Sequence, residues 1–226
     1  MNKPARLAAL AAGALAALAA PSAAVAAPTI QPLKACYVSV GQADNEREPV
    51  ALAASDFAPN SLVDVAVNQV PVATSVPVDA AGNVSGQVLA PFQERGEAPF
   101  TVTLTQQGNP ANTVSATSKV TALELSVRPR RARPSSRVRF TGAGFTAPGP
   151  VYAHYVFRGR QRKRVLLARP HGDCGRFRVR KRQIPVRNPG SGTWTLQVDQ
   201  QRRYSVSPET VFVRLSILVQ RVVPSP

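Results

Sequence analysis

The stretch that decides the fold is Val138–Tyr152, VRFTGAGFTAPGPVY. An alternating run breaks at a Gly-rich turn and resumes as a second alternating run, the pattern of two short strands joined by a bend. It lies against an earlier stretch, Val50–Val65, VALAASDFAPNSLVDV, with one residue of slack, so that Phe57 matches Phe145 and Pro59 matches Pro148. Outward from this pair the correspondence continues. Asp79–Val84 lies against Asp173–Phe177, with Gly82 on Gly175 and Val84 on Phe177. Phe100–Gln106, FTVTLTQ, lies against Trp194–Gln200, WTLQVDQ, and the closing strands are Thr113–Val120 and Ser207–Val213. Self-similarity over this span is duplication of a whole domain rather than a short-period solenoid.

Each copy reads as about seven short strands with turns every 8–12 residues, which predicts an antiparallel β-sandwich. In the first copy the strands are expected at 35–40, 50–54, 62–67, 74–78, 84–89, 100–105 and 114–120. In the second, Val211, Val213, Leu215, Ile217 and Val219 fall on one face of a last strand. The fold class is all-β: two tandem immunoglobulin-like sandwiches, 28–122 and 123–226, behind an N-terminal signal peptide, 1–27. The linker near Lys119–Leu123 is short, so the two units pack together or hold a limited angle.

The turn Gly142-Ala143-Gly144-Phe145-Thr146-Ala147-Pro148-Gly149, followed by an alternating strand, resembles the glycine-rich turn of bacterial extracellular immunoglobulin-like domains of the IPT/TIG type and of the neocarzinostatin-like sandwiches. The turn Asp79-Ala80-Ala81-Gly82-Asn83-Val84 is similar to the later D-x-x-G turn of that group. The first repeat departs from the pattern at Ala54–Asn60, which lacks the glycines. The resemblance covers most of the chain after the leader and implies a sandwich. It does not by itself imply a function, because sandwiches carry many. A chromophore-binding role of the neocarzinostatin kind implies two disulfides inside one domain, more than two cysteines supply.

Lys3 and Arg6, the apolar run Leu7–Ala20, Pro21 and Ala24-Val25-Ala26 have the order of a secretory leader with its cleavage site. The apolar run is short of the roughly 20 residues that a membrane span needs. The mature chain has no other hydrophobic stretch that long, and the expectation is a secreted protein, free or loosely associated with the cell wall. Charge is strongly divided. After the leader, the first copy carries four basic and eight acidic residues, a net of −4, and the second carries 22 basic and four acidic residues, a net of +18. Such asymmetry bears on partners rather than on fold. It reads in three ways: an anion-binding surface, a solvated Arg-rich strand surface, or a basic half that docks on the acidic one.

The basic residues concentrate in Arg158–Arg187, RGRQRKRVLLARPHGDCGRFRVRKRQIPVR. Their period-two spacing predicts a strand face. The segment reads as one hairpin turning at His171–Gly175, with Ala168 opposite Phe177 and Leu166 opposite Val179. Its cationic end would hold Arg158, Arg160, Arg162, Lys163 and Arg164, and its outer side Arg169, Arg176, Arg178 and Arg180. Arg128–Arg133 joins the patch if it lies alongside. Guanidinium forks suit phosphate, sulfate and carboxylate oxygens. The nearby Tyr152, Tyr155 and Phe157 read as core rather than as a base-stacking platform.

Cys36 and Cys174 fall at non-equivalent positions in different copies. An even count in a secreted protein favours a disulfide, here one that would tie the two copies together. The alternative is two separate thiols, one buried and one in a turn. His171, Asp173 and Cys174 lack a fourth metal ligand, His154 reads as a packed strand residue, and Asp44, Glu46 and Glu48 read as a solvated loop. No nucleophile–base pair or nucleophile elbow is present, so neither an enzyme nor a cofactor is implied. The expected function is non-enzymatic binding of an anionic envelope or extracellular polymer, such as a teichoic-type polymer, an acidic polysaccharide or DNA. The competing expectation is a structural or adhesive spacer that works through protein–protein contacts.

Overall fold

A computed structural model of the chain describes residues 26–207 and 210–220. The expected leader lies outside the described residues up to position 25, and Ala26 and Ala27 are exposed. In the first copy the strands are β1 (Thr29–Ile30), β2 (Cys36–Ser39), β3 (Pro49–Ser55), β4 (Leu62–Val67), β5 (Val70–Pro77), β6 (Val84–Leu89), β7 (Glu97–Gln106) and β8 (Thr113–Ala122). In the second they are β9 (Glu124–Arg128), β10 (Arg137–Ala143), β11 (Val151–Phe157), β12 (Arg160–Ala168), β13 (Phe177–Arg182), β14 (Gly192–Asp199) and β15 (Phe212–Val219).

The two copies share one topology. The first pairs its strands as β1-β3-β6 and β2-β8-β7-β4-β5, the second as β9-β10-β13 and β12-β11-β14-β15. Strand for strand, β3, β4, β5, β6, β7 and β8 correspond to β10, β11, β12, β13, β14 and β15. The architecture is all-β, with facing antiparallel sheets of immunoglobulin-like type. The β2–β8 pair is parallel, with Cys36 opposite Lys119, and so departs from the purely antiparallel expectation. β8 ends at Ala122 and β9 begins at Glu124, which leaves Leu123 as the whole connection.

Alternation builds a separate core in each copy. In β4, Val63, Val65 and Val67 point inward; in β7, Phe100, Val102 and Leu104 do so, and Tyr37 meets Phe100 edge-on with ring centroids 5.7 Å apart. In the second copy Trp194, Leu196 and Val198 of β14 share the core with Val151, Ala153 and Tyr155 of the neighbouring β11, Leu196 lying opposite Tyr155 and Val198 opposite Ala153. Trp194 stacks on Phe157 at 4.8 Å and donates its indole N–H to the Gly190 carbonyl. Val213, Leu215, Ile217 and Val219 contribute to this core as their alternation predicts, whereas Val211 precedes the strand and is exposed.

The matched residues of the duplication make the same contact. The Phe57 amide donates to the Gly82 carbonyl, and the Phe145 amide donates to the Gly175 carbonyl. Both glycines have positive φ, 83° and 57°. A Cβ on Gly82 would lie 2.6 Å from the Phe57 oxygen, and one on Gly175 would lie 2.1 Å from the Phe145 oxygen. The pattern differs where side-chain volume has been exchanged. Ala54 faces Val84 in the first copy, whereas Gly142 faces Phe177 in the second, and a Cβ on Gly142 would lie 2.3 Å from the Phe177 ring. The larger aromatic is accommodated by the smaller partner, as a close-packed interior requires.

Gly175→Ala should therefore destabilise the fold by about 1–3 kcal/mol or more, through left-handed strain combined with a backbone clash. At roughly 2–4 °C per kcal/mol for a chain of this size, thermal melting should fall by at least several degrees. Gly108→Ala, at a positive-φ site where nothing lies within 4 Å of the added Cβ, should cost less. Equal effects at the two sites would remove the close approach as the cause.

Candidate anion-binding face

The two basic runs do not form one hairpin. β12 folds back on β11 through the two-residue turn Arg158-Gly159, both with positive φ, the geometry that matches strand twist in tight hairpins. Val151 therefore faces Ala168 and Tyr152 faces Leu166. Residues 169–176 cross to the opposite sheet, where β13 pairs with β10: Phe177 faces Gly142 and Val179 faces Phe140. The expected pairings of Ala168 with Phe177 and of Leu166 with Val179 are overturned. Strict period two also fails in β12, because the register shifts between Tyr155 and Val156 and leaves Arg162 without a partner opposite. A bulge of this kind turns the neighbouring side chains away from simple alternation.

The expected basic residues separate into three groups. Arg158, Arg160, Arg162, Lys163 and Arg164 are exposed along the β11–β12 hairpin, at the edge of the four-stranded sheet. Arg158 lies over the Phe157 ring at 5.2 Å, while Arg164 lies over Tyr152 at 5.7 Å and donates to the Arg202 carbonyl. Arg169 is exposed just beyond β12, and Arg176 is drawn away from the cationic surface by an ion pair with Glu97 of the first copy, at 3.0 Å. Arg178 and Arg180 stand on the outer face of β13.

That outer face is strongly positive. Phe177 and Val179 of β13 and Val138 and Phe140 of β10 take the core side, so Arg178, Arg180, Arg182, Arg137 and Arg139 are directed outward. Register then aligns them. Arg137 is directly opposite Arg182, and Arg139 lies between Arg180 on one side and Arg128 of β9 on the other. Six arginines thus share the three-stranded face, with three of them in one row across the strands. Among the described residues none of the six side chains enters an ion pair. Glu124, on the same face at the far end of β9, is occupied by the Gly96 amide at 2.9 Å. Like charges directly opposite one another across strands are destabilising. Arg137, Arg139 and Arg182 were missed in the sequence; their signal was the alternation R-V-R-F, which places arginine wherever the core residue is absent.

The acidic loop of the first copy is engaged locally. Glu48 pairs with Lys34 at 2.6 Å and accepts the Val38 amide, and Arg47 pairs with Asp44. His154 is buried, as expected of a strand residue, but belongs to a polar cluster that the sequence reading did not find. Its Nε2 is 3.2 Å from Asp199 and 3.0 Å from the Gln201 carbonyl. Gln197 donates to Asp199 and accepts from Arg214. The run Thr195, Gln197, Asp199, with apolar residues between, was the available signal. These polar residues face outward, and the segment after β14 covers them, Gln197 donating to the Ser205 carbonyl.

Cys36 and Cys174 form a disulfide, with Cα atoms 5.2 Å apart and a sequence separation of 138. It ties β2 to the turn before β13. Around it Leu123 donates its amide to the Ser39 carbonyl, Lys34 reaches Thr146, and Lys119 lies 3.6 Å from Asp173. Docking of the two halves thus uses the bridge and a few ion pairs, and among the described residues only Arg176 of the basic set pairs with an acid of the first copy.

No family model matches the chain, and no curated protein matches it in sequence. Solved structures similar to it include bovine butyrophilin, at 11% identity and a TM-score of 0.32, over 87% of this chain and 100% of that one. Another is the β-glucuronidase of Parabacteroides merdae, at 13% identity and a TM-score of 0.25, over 84% of this chain and 24% of that one.

Replacing Cys36 and Cys174 together by Ser should lower the free energy of unfolding by about 2–5 kcal/mol, because a bridge across a long loop restricts the unfolded chain strongly. Denaturant titration of the two forms measures it. A loss below about 1 kcal/mol would show that the ion pairs and the Leu123 connection hold the halves without the bridge.

Proposed function

We propose that this is a secreted, non-enzymatic protein whose second sandwich binds an anionic envelope or extracellular polymer. The observation that carries this reading is the outer face of β9-β10-β13, on which Arg128, Arg137, Arg139, Arg178, Arg180 and Arg182 stand in register without an acidic partner among the described residues. Mutual repulsion makes such a face costly when empty, and a polyanion relieves that cost while releasing its own counterions. Arg160, Arg162, Lys163 and Arg164 extend the positive surface around the sandwich edge. The contacts are of the phosphate or sulfate kind, with little sequence preference. The buried bridge Cys36–Cys174 supports an oxidising compartment, in agreement with the leader proposed over residues 1–27. On the strength of the Gly142–Gly149 turn, the finer kinship we propose is with the IPT/TIG-type or neocarzinostatin-like extracellular sandwiches.

A second reading is a rigid spacer. The bridge, the one-residue connection at Leu123 and the ion pair Arg176–Glu97 favour a fixed disposition of the two halves, useful for presenting a surface at a set distance.

The test is retention of the mature chain on heparin and on DNA across a salt gradient. Polymer binding predicts elution well above physiological salt, about 0.15 M. The triple change Arg128→Ser, Arg139→Ser, Arg178→Ser should lower the slope of log affinity against log salt by about two to three, one phosphate contact being worth roughly 0.7–0.9. Replacing Arg158, Arg160, Arg162 and Arg164 by Ser tests the sheet edge in the same way. Elution at or below physiological salt, indifferent to both sets of changes, would discard the polymer reading in favour of the spacer.

A further inference from the structure

We infer that the mouth of the second sandwich, where the edge strands β12 and β13 approach one another, is a pocket for a single tetrahedral oxyanion, the phosphate or sulfate group of an ester. This deepens the polyanion reading and rests on it: the flat arginine face holds the length of a polymer, and the pocket takes one group of it and fixes its position.

β12 and β13 are edge strands of opposite sheets, and they contact one another along one side of the sandwich. Between them opens a cavity of about 280 Å³, lined by Arg137, Arg180, Lys181, Arg182, Val165 and Pro185. Four of its six lining residues are cationic and none is acidic. Lys181 is the decisive one. Along β13 the inward positions are Phe177, Val179 and then Lys181, so the lysine occupies a core-side position and is half-buried. Opposite it in register stands the fully buried Val138. An ammonium group in such a position is ordinarily matched by a carboxylate, since withdrawing a charge from water is costly unless it is paired. No described carboxylate pairs with it. Arg137 and Arg182, directly opposite each other, form the rim and add two planar donor forks.

Size and chemistry restrict the occupant. The cavity is smaller than the roughly 300–1,000 Å³ of pockets that enclose whole organic ligands, and far larger than the ~30 Å³ share of one water. It suits a compact group at the end or on the side of a larger molecule. Val165 and Pro185 form its apolar wall and offer no hydrogen-bond donor from a side chain, so the charged residues alone set its preference. A tetrahedral oxyanion presents several acceptor oxygens at once to the ammonium group and the guanidinium forks around it, which a halide or a single carboxylate does less completely.

The experiment is thermal melting of the mature full-length chain in sodium phosphate, and separately in sodium sulfate, against sodium chloride at equal ionic strength. Low millimolar anion keeps the general exclusion effect of these salts small. At about ten times the half-saturating concentration, binding to the folded chain should raise melting by about 3–6 °C. In the double variant Lys181→Ser, Arg182→Ser the rise should disappear, while melting in chloride stays the same or increases because like charges have been removed. No difference between phosphate, sulfate and chloride in the unaltered chain overturns the pocket, as does an equal rise in the variant. Stabilisation by one anion only assigns the site to that ester. Specific stabilisation without retention on heparin or DNA keeps the pocket and discards the polymer; retention without it does the reverse.

Discussion

The close approach of the Gly175 backbone to Phe145 is the contact on which the rest of the second sandwich depends. It joins the turn before β13 to the turn after β10, where the amide of Phe145 meets the Gly175 carbonyl. The neighbouring Gly144 amide donates to the Cys174 carbonyl, so both turns are stitched by consecutive backbone bonds. Cys174 is also the residue that reaches out to Cys36. The same six-residue turn, His171–Arg176, therefore closes the second core, fastens it to the first copy and launches β13 with Arg178, Arg180 and Arg182 on its outer side. No side chain can stand at Gly175 without displacing backbone.

Duplication explains why this contact occurs twice and why its consequences differ. In the first copy the turn is held by Asp79, whose carboxylate accepts the amides of Ala81 and Asn83, both at 2.8 Å. The hydrogen bonds from Asn83, through its backbone amide and then its side chain, hold the Asp79 carboxyl below its usual range by favouring its charged form, and the Ala81 amide adds to them. In the second copy the place of Asp79 is taken by Gly172, while Asp173 pairs with Lys119 of the first half and Cys174 forms the disulfide. The second turn keeps local backbone bonds, from Gly175 to Gly172 and between His171 and Arg176, and adds the joint to the first copy. The outer faces diverged as well, since the first copy carries the acidic excess and the second carries arginine at nearly every outward position of β10 and β13.

What the sequence disclosed follows from which physical signals are local. Matching Phe57 to Phe145 and Gly82 to Gly175 located the duplication, because positive-φ turns restrict residue type at single positions. Leu62–Val67 and Val84–Leu89 were legible to the residue, since alternation and flanking turns coincide there. The pairing of the basic runs was not. Arg158-Gly159 is a two-residue turn hidden inside a charge run, and the eye is drawn to the longer Gly-containing segment at 171–175. Only the sandwich crossover, a non-local property, assigns β12 and β13 to different sheets. The bulge at Arg162 had no local signature either. For the arginine face, each strand alone showed alternation, but the row Arg128, Arg139, Arg180 exists only through register.

Register also distinguishes this face from a merely basic surface. A solvated surface of the same composition gains by spacing its charges, because the energy of two guanidinium groups falls with distance and is screened beyond about 8–10 Å. Here neighbouring strands place arginines directly opposite one another, while Glu124 on the same sheet is committed to the Gly96 amide and Asp173 to Lys119. Arginine tolerates such crowding better than lysine, being planar and weakly hydrated. The placement of lysine rather than arginine at position 181 fits the same logic. A compact ammonium group on a flexible stem can line a narrow cavity between two sheet edges, where a rigid fork would need more room. Outward arginines on the sheet face and one inward lysine at the cavity are two placements of positive charge that strand register produces on the same sandwich.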